Sequence, residues 1–258
     1  MDTFKDALGS VMDGCLKADF HMHTVYCDGA DTPEEMILSA IEKGLDAVGI
    51  SSHSYTFFDE SYCIKKDEVA RYIAEISSLK EKYKERIQVF CGVEQDIFSQ
   101  YPTDGFDYVI GSVHYLKLED RYIPVDETEE ILADAADRFF KGDIYALCER
   151  YFETVSLVAE KTGCDIIGHF DLITKFQERH PLFDERHSRY RVAWKKAADI
   201  LLPYDVPFEI NFGAISRGLR TSPYPSEEIV QYLRDNGARL ILSSDSHRKE
   251  DVLSIINP

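Results

Sequence analysis

The segment Leu16-Lys-Ala-Asp-Phe-His-Met-His23 sets the expected fold. Its apolar residues predict a short buried strand over Leu16–His21, and the strand ends on two histidines. The stretch Thr32-Pro-Glu-Glu35 then has the form of a capping box with proline at the first helical position, so we expect a helix that ends near Gly44. A buried strand followed by a helix is the repeating unit of a parallel α/β sheet.

The same alternation continues along the chain. Seven strands joined mostly by helical crossovers predict a parallel sheet, and both an open doubly wound sheet and a closed barrel satisfy this pattern. Without a linker, a low-complexity segment or an internal repeat, we expect a single domain over residues 1–258. The further strands are predicted at residues 45–51, 87–93, 107–113, 165–168, 207–211 and 238–243, and the further helices at 66–85, 128–140, 144–161, 187–202 and 226–236.

Composition excludes several classes of protein. A chain of 258 residues with 44% hydrophobic residues can bury a sizeable core. With 47 acidic and 29 basic residues its net charge is −18, which disfavours nucleic acid and anionic membranes as partners. No apolar run is long enough to span a bilayer and the first ten residues lack a signal-peptide core, so we expect a cytoplasmic protein. The six cysteines form no C-x-x-C pair, so neither a zinc ribbon nor a redox pair is indicated.

Potential metal ligands recur where predicted strands end. His21 and His23 are two apart on a strand, so their side chains face the same side. This pair alone indicates metal binding no more strongly than an ordinary pair of surface histidines. The carboxyl ends of the strands are also where α/β barrels build their active sites. The other residues at such positions are His53, Glu94, His114, His169, Asp245 and His247.

This shared position predicts a metal centre. A lone histidine at a strand end is ordinarily hydrogen-bonded or solvated. If these residues were distributed at random, however, many of them would also lie on helices and at the opposite ends of the strands. Imidazoles with carboxylates suit zinc, manganese or iron. Eight ligands are too many for one ion, so we expect two or three divalent ions, with a carboxylate such as Glu94 bridging a pair. His180 and His187 lie in a charged stretch and are expected in a solvated loop and at a helix start.

The motifs resemble those of the PHP (polymerase and histidinol phosphatase) superfamily of metal-dependent phosphoesterases. The resemblance extends over roughly residues 18 to 248. Several segments are similar to its histidinol-phosphatase branch: Asp19-Phe-His-Met-His-Thr24, Cys27-Asp-Gly29, Gly111-Ser-Val-His114, Gly168-His-Phe-Asp-Leu172, Glu209-Ile-Asn211 and Gly218-Leu-Arg220.

The resemblance implies an α/β fold, a distorted (β/α)7 TIM-like barrel with a trinuclear metal site at the carboxyl ends of the strands. It adds Asp28 to the ligands, since without it Asp28 would pass for a turn residue beside Gly29. In the implied arrangement His21, His23, Glu94 and Asp245 hold one ion, Glu94, His114 and His169 hold a second, and Asp28, His53 and His247 hold a third.

The resemblance also implies the reaction. We expect a phosphomonoesterase that hydrolyses L-histidinol phosphate to L-histidinol and phosphate in histidine biosynthesis, with Glu94, His114, Asp245 and His247 serving catalysis mainly as ligands. The alternatives are a phosphatase for another small monoester, a PHP nuclease and a non-catalytic metal-binding barrel. The strong negative charge disfavours the nuclease.

Substrate contacts follow from the same resemblance. The Gly-Leu-Arg motif favours Arg220 as a phosphate contact, because a guanidinium pairs well with phosphate oxygens. Ser216 and Tyr224 are weaker candidates of the same kind. The loop Tyr55-Thr-Phe-Phe-Asp-Glu60 offers aromatic faces and carboxylates for the imidazole and ammonium of histidinol phosphate.

Overall fold

The computed structural model of the protein describes residues 3–253. No helix within this range is both long and apolar enough to cross a membrane. The strands are β1 (Ala18–Asp19), β2 (Ala47–Ile50), β3 (Gln88–Asp96), β4 (Tyr108–Ser112), β5 (Tyr115–Leu118), β6 (Arg121–Pro124), β7 (Ile166–Ile167), β8 (Phe208–Asn211) and β9 (Leu240–Ser243). The helices are α1 (Phe4–Met12), α2 (Pro33–Glu42), α3 (Val69–Tyr83), α4 (Glu129–Phe140), α5 (Ile144–Val155), α6 (Val158–Thr162), α7 (Ser188–Leu201), α8 (Gly213–Ser216) and α9 (Glu227–Asp235).

All seven predicted strands are present, as β1 to β4 and β7 to β9. The helix predicted from Ile144 to Lys161 is two helices, α5 and α6, which meet at Ser156 and Leu157. The capping box of α2 is confirmed, because the Thr32 hydroxyl accepts the Glu35 N–H while the Glu35 carboxylate accepts the Thr32 N–H. Three features were not predicted: the first helix α1, the antiparallel hairpin of β5 and β6, and the short helix α8.

The chain divides into two compact units, and β4 and β9 each contribute to both. Unit 1 comprises residues 1–110 and 241–258, of which 3–110 and 241–253 are described. In it β1, β2 and β3 are neighbouring parallel strands, in the register Ala18 with Ala47 and Ala47 with Gln88. Its core packs α2 and α3 on these strands through residues such as Met36, Ile76 and Val89.

Two glycines in unit 1 make room for one buried ring. A Cβ atom on Gly49 would lie 2.1 Å from the Tyr108 hydroxyl oxygen, and one on Gly92 would lie 2.2 Å from the same ring. The Tyr108 hydroxyl donates to the carbonyl oxygen of Phe20. The absence of two side chains on β2 and β3 therefore lets Tyr108 reach the main chain that leads to His21.

Unit 2 comprises residues 111–240. Its strands β7 and β8 are parallel, with Ile167 opposite Phe208, and the Gly168 N–H donates to the Gly111 carbonyl at 2.9 Å. Helices α5 and α7 pack together, and the fully buried rings of Tyr151, Phe152, Tyr190 and Trp194 fill its core. The prediction of a single domain over residues 1–258 stays a prediction.

Candidate metal centre

The strand ends of unit 1 bring the predicted ligands together. His53 and Glu94 form a parallel bridge, and Met22 forms one with Ser246. The Ser51 N–H donates to the Met22 carbonyl at 2.9 Å, so the end of β1 lies between the end of β2 and the segment after β9. Glu94 lies inside β3, whereas the other ligand candidates follow their strands.

One group of ligands surrounds His21 and His23. Nε2 of His21 lies 3.2 Å from Oε2 of Glu94 and 3.8 Å from Oδ1 of Asp245. Nε2 of His23 lies 3.5 and 3.2 Å from the same two oxygens. All four residues are buried. These are the four residues expected to hold the first ion.

A second group surrounds Asp28. Its carboxylate oxygens lie 3.3 Å from Nε2 of His247, 3.7 Å from Nε2 of His53 and 3.7 Å from Nδ1 of His23. The ligand atoms of these four residues all lie within 4.8 Å of one another. Asp28, His53 and His247 therefore converge as expected, and His23 joins this group as well.

A close main-chain approach places Asp28. A Cβ atom on Gly29 would lie 2.4 Å from the Thr24 nitrogen and 2.5 Å from the His23 carbonyl carbon. The Gly29 N–H donates to the Thr24 carbonyl at 3.1 Å, and the Ala30 N–H donates to the His247 carbonyl at 2.8 Å. Only glycine fits this approach without displacing backbone, so Gly29 lets the loop fold back and present Asp28 to the histidines.

The tautomer of His247 places a lone pair on the ring nitrogen that faces Asp28. Nδ1 of His247 lies 3.0 Å from the Asp245 carbonyl oxygen, which can only accept, so Nδ1 carries the proton. Nε2 of neutral His247, which faces Asp28, then holds a lone pair. A histidine that donates its other ring N–H to a carbonyl is the usual arrangement of a metal-bound histidine.

The charge balance of the site also fits a divalent cation. Burial lowers the pKa of His23 to about 3, with His247 and His53 acting in the same direction, so its imidazole is neutral near pH 7. Among residues 3–253 its Nε2 has no hydrogen-bond partner, although two carboxylates lie within 3.5 Å. Burial raises the pKa of Asp28, whereas positive charge on the surrounding His53 and His247, when these are protonated, lowers it below its usual value. Carboxylates gathered around a neutral imidazole suit a cation such as zinc, manganese or iron.

The turn after β9 has an unusual backbone. Asp245 adopts a φ of 48°, in the left-handed region that non-glycine residues rarely occupy. The Ser246 N–H donates to the His21 carbonyl at 3.3 Å, and the Ser246 carbonyl accepts the His23 N–H at 2.8 Å. This turn is therefore attached to the chain after β1 on both sides of Met22, between His21 and His23.

In unit 2 the remaining two predicted ligands lie together. The rings of His114 and His169 are edge to face, with their centroids 5.0 Å apart, and both residues are buried. The His169 N–H donates to Oε1 of Glu209 at 2.5 Å, and the Asn211 side-chain amide donates to the same oxygen at 2.8 Å. Glu209 and Asn211 thus hold the main chain at His169.

The predicted substrate residues of unit 2 have different environments. Arg220 is only 6% exposed, and its guanidinium donates to the Thr174 carbonyl and hydroxyl and lies 4.8 Å above the Tyr224 ring. Tyr224 is fully buried, and its hydroxyl has no hydrogen-bond partner within the described range. Ser216 is exposed and donates to the Gly213 carbonyl at 2.9 Å.

The structure also adds residues that the motifs did not indicate. Sγ of Cys27 lies 3.5 Å from Nδ1 of His23, and burial raises the pKa of this thiol to about 12, so it is neutral. The Tyr62 ring meets the His53 ring edge to face at 4.8 Å. Cys27 could have been found from the sequence because it directly precedes Asp28. Tyr62 has no characteristic spacing from a predicted ligand, so the sequence could not indicate it.

The two histidines that were left out of the ligand set lie in unit 2. His187 is the N-cap of α7, where its Nδ1 accepts the Arg189 N–H at 3.2 Å, so the expected helix start is confirmed. His180 is exposed and lies 3.3 Å from Glu129.

Comparison with known proteins identifies the family. A model of the PHP domain matches residues 19–212, which is most of the chain. This range includes the strand ends that carry His21, His23, His53, Glu94, His114 and His169. The chain belongs to the PHP domain family.

Relatives and solved structures agree with this assignment. A protein of Deinococcus radiodurans named "Probable histidinol-phosphatase" is 28% identical over 245 residues, which cover 91% of this chain and 87% of that protein. HisK of Listeria monocytogenes has a similar structure, with a TM-score of 0.76 at 21% identity, covering 91% of this chain and 97% of that one. Histidinol phosphate phosphatase of Lactococcus lactis, solved with zinc, L-histidinol and phosphate, has a TM-score of 0.68 at 21% identity, covering 90% and 87%. The predicted fold class, α/β of the TIM-like barrel type, is confirmed by this likeness.

Proposed function

We propose that this PHP-family chain is a metal-dependent phosphomonoesterase that hydrolyses L-histidinol phosphate to L-histidinol and phosphate. The observation that carries the proposal is the convergence of seven metal-ligand side chains at the strand ends of unit 1. The Lactococcus lactis relative was solved with both products of this reaction and with zinc, which supports the choice of substrate.

The ligand assignment follows the two groups in unit 1. His21, His23, Glu94 and Asp245 would hold one ion, and Asp28, His53 and His247 would hold another. His114 and His169 in unit 2 are proposed as the remaining ligands, which brings the number of ions to three. Zinc is the first metal to test, since imidazole and carboxylate ligands suit it and the Lactococcus lactis structure contains it.

Divalent ions, when bound, lower the pKa of water and neutralise charge on phosphoryl oxygens. The chain's own contribution is to orient the ligands and to keep the imidazole of His23 neutral. Burial lowers the pKa of His23 to about 3, so this ring does not have to release a proton before it binds a metal near pH 7. The Asp245 carbonyl keeps the proton of His247 on Nδ1, away from the atom that faces Asp28.

The loop predicted to bind the organic part of the substrate lies in unit 1, as the seven ligands do. Phe57 is 47% exposed, and its ring meets that of Phe58 edge to face at 5.2 Å. The Tyr55 hydroxyl donates to Glu60 at 3.2 Å. Exposed aromatic faces suit a cationic imidazole, and the carboxylates of Asp59 and Glu60 suit an ammonium. We propose that this loop selects histidinol phosphate among phosphate monoesters.

The test is to measure phosphate release by the zinc-loaded protein from L-histidinol phosphate, from a panel of other small monoesters and from single-stranded DNA. We expect turnover of L-histidinol phosphate well above that of the panel, and none of DNA. The control is Glu94→Gln, which keeps the size of the side chain but removes a charge from the ligand set. It should lose metal and activity together.

Other outcomes would change the assignment. Turnover of DNA without histidinol phosphate would favour the nuclease, and equal turnover of several monoesters would favour a general phosphatase. A protein that binds metal and hydrolyses none of these compounds would be a binding barrel. One ion or none per fully loaded chain would contradict the three-ion assignment.

A further inference from the structure

We propose that Asp19, which is not among the metal ligands, is the positioning residue that holds the Asp245 turn against the strand end that carries His21. This inference rests on the proposed metal centre and concerns how the chain keeps that centre in shape.

The contacts of Asp19 join two distant parts of unit 1. Oδ1 accepts the N–H of His21 at 3.3 Å and the N–H of Ser244 at 3.1 Å. Oδ2 accepts the N–H of Leu253 at 3.2 Å. Asp19 is fully buried in β1. A single carboxylate thus binds main-chain donors from the strand end that carries His21 and from the turn that carries Asp245.

The turn needs such support because of its backbone. Asp245 has a φ of 48°, in the left-handed region that is unfavourable for a non-glycine residue. Such a conformation persists where surrounding contacts outweigh this cost. The Ser244 hydroxyl makes two further contacts in this turn. It lies 2.8 Å from the Ser246 hydroxyl, and it donates to the His21 carbonyl at 3.3 Å.

The conformation of the turn sets the position of a ligand. With the backbone held this way, Oδ1 of Asp245 lies 3.2 Å from Nε2 of His23 and 3.8 Å from Nε2 of His21. If the Ser244 N–H lost its acceptor, it would be a buried donor without a hydrogen-bond partner, which is unfavourable. If the turn rearranged so that the Ser244 N–H became exposed to water, Asp245 would move away from the two histidines.

The hydrogen bonds of Asp19 suit a positioning role. Both of its oxygens accept from main-chain N–H groups, and the residue acts through His21 and Asp245. Substitution of a residue that hydrogen-bonds to metal ligands and orients them commonly weakens metal affinity by 10- to 100-fold.

The experiment compares zinc binding by full-length Asp19→Ala and Asp19→Asn with the unsubstituted protein. Affinity is measured by competition with a chromophoric chelator, and the ion count by elemental analysis. The amide of Asp19→Asn keeps an oxygen for the His21 and Ser244 N–H groups, whereas alanine keeps none. We expect at least a tenfold weaker zinc affinity for Asp19→Ala and a change below threefold for Asp19→Asn.

A second measurement does not involve metal. Amide hydrogen exchange at Ser244, recorded in the metal-free protein, should be at least tenfold faster in Asp19→Ala and near the unsubstituted rate in Asp19→Asn. The matched control is Asp46→Ala, because the Asp46 carboxylate likewise accepts a main-chain N–H, that of Lys17 at 2.9 Å, but at the end of β1 away from His21. Zinc affinity and Ser244 exchange should not change in this variant.

Unchanged zinc affinity in Asp19→Ala would overturn the proposal. An equal loss of zinc affinity in Asp19→Asn would also overturn it, since the charge of Asp19 rather than its hydrogen bonds would then matter.

If Asp19→Ala does not fold, Asp19→Ser replaces it with the same expectation, because the serine hydroxyl is too short to reach Ser244. His21→Ala separates the two levels of the argument. If it retains the full ion count, the metal centre itself is wrongly assigned, whatever the Asp19 variants do.

Discussion

Nδ1 of His53 lies 2.9 Å from Oε2 of Glu94, and the two residues face each other across neighbouring parallel strands. Nε2 of the same ring lies 3.7 Å from Oδ1 of Asp28. The ligand atom of His53 also belongs to the group that Asp28 and His247 form with His23. His53 therefore touches both ligand groups of unit 1, and the proposed assignment gives it to the ion of Asp28 and His247.

This relationship predicts the effect of His53→Ala. We expect the variant to lose one ion, the one held by Asp28 and His247, while the ion at His21, His23 and Asp245 is retained. The measurement is the metal content after zinc loading and desalting. The control is His180→Ala, an exposed histidine of unit 2 that should leave the count unchanged. Loss of every ion from His53→Ala would contradict the separation into two groups.

Gly29→Ala should damage the site without enlarging any side chain in it. Its Cβ would meet main-chain atoms of His23 and Thr24 at 2.4–2.7 Å, so the Asp28 loop must shift. We expect zinc affinity to fall at least tenfold, measured by chelator competition. Gly9→Ala in α1 is the matched control, since its Cβ meets nothing within 4 Å. That change should raise the free energy of unfolding by about 0.5–1 kcal/mol and leave zinc affinity unchanged.

Much of the fold could be predicted because it depends on periodic burial. The helix from Thr32 followed from a capping box, and the strands from short apolar runs between turn residues. The hairpin of β5 and β6 was missed because its strands are only four residues each and β6 is mostly half-buried, so no buried run marks it. The break between α5 and α6 carries no proline or glycine, so no helix-breaking residue marks it in the sequence.

Eight of the nine proposed ligands could be grouped from the sequence because they lie at or soon after a strand, whereas Asp28 lies in a loop and was indicated only by the resemblance. The sequence could not provide the contacts made through the main chain. Asp19 and Glu209 stand in the quoted motifs, but the motifs do not show that Glu209 accepts the His169 N–H or that Asp19 accepts the His21 and Ser244 N–H groups. The left-handed backbone of Asp245 is equally invisible in the sequence, since it is set by neighbours that are remote along the chain.

The stability of the metal-free protein should depend on pH through His23. Burial lowers the pKa of this residue to about 3, against about 6.5 in the unfolded chain. Between these values the unfolded chain binds a proton that the folded protein does not, so stability falls as the pH drops below 6.5. From pH 7.5 to 5.5 this amounts to about 1 kcal/mol.

The measurement is urea unfolding in the presence of a chelator at these two pH values. Between pH 7.5 and 5.5 the free energy of unfolding should fall by about 1 kcal/mol less in His23→Gln than in the unsubstituted protein. The control His180→Gln changes an exposed histidine and should keep the full loss. An identical pH dependence for His23→Gln and the unsubstituted protein would mean that the imidazole of His23 becomes charged within the folded structure.

Arg220 connects two segments of unit 2, and this gives its substitution a distinctive signature. Its guanidinium binds Thr174, donates to the Ser222 hydroxyl at 3.3 Å and covers the Tyr224 ring. Arg220→Lys keeps the charge but loses the planar fork, so we expect the free energy of unfolding to fall by about 2 kcal/mol in metal-free, substrate-free protein. Arg191→Lys is the control, because Arg191 pairs with Glu228 at the exposed surface, where such a change costs about 0.5 kcal/mol or less. A role limited to holding substrate phosphate predicts the opposite pattern, with unchanged unfolding by urea and a raised KM for L-histidinol phosphate.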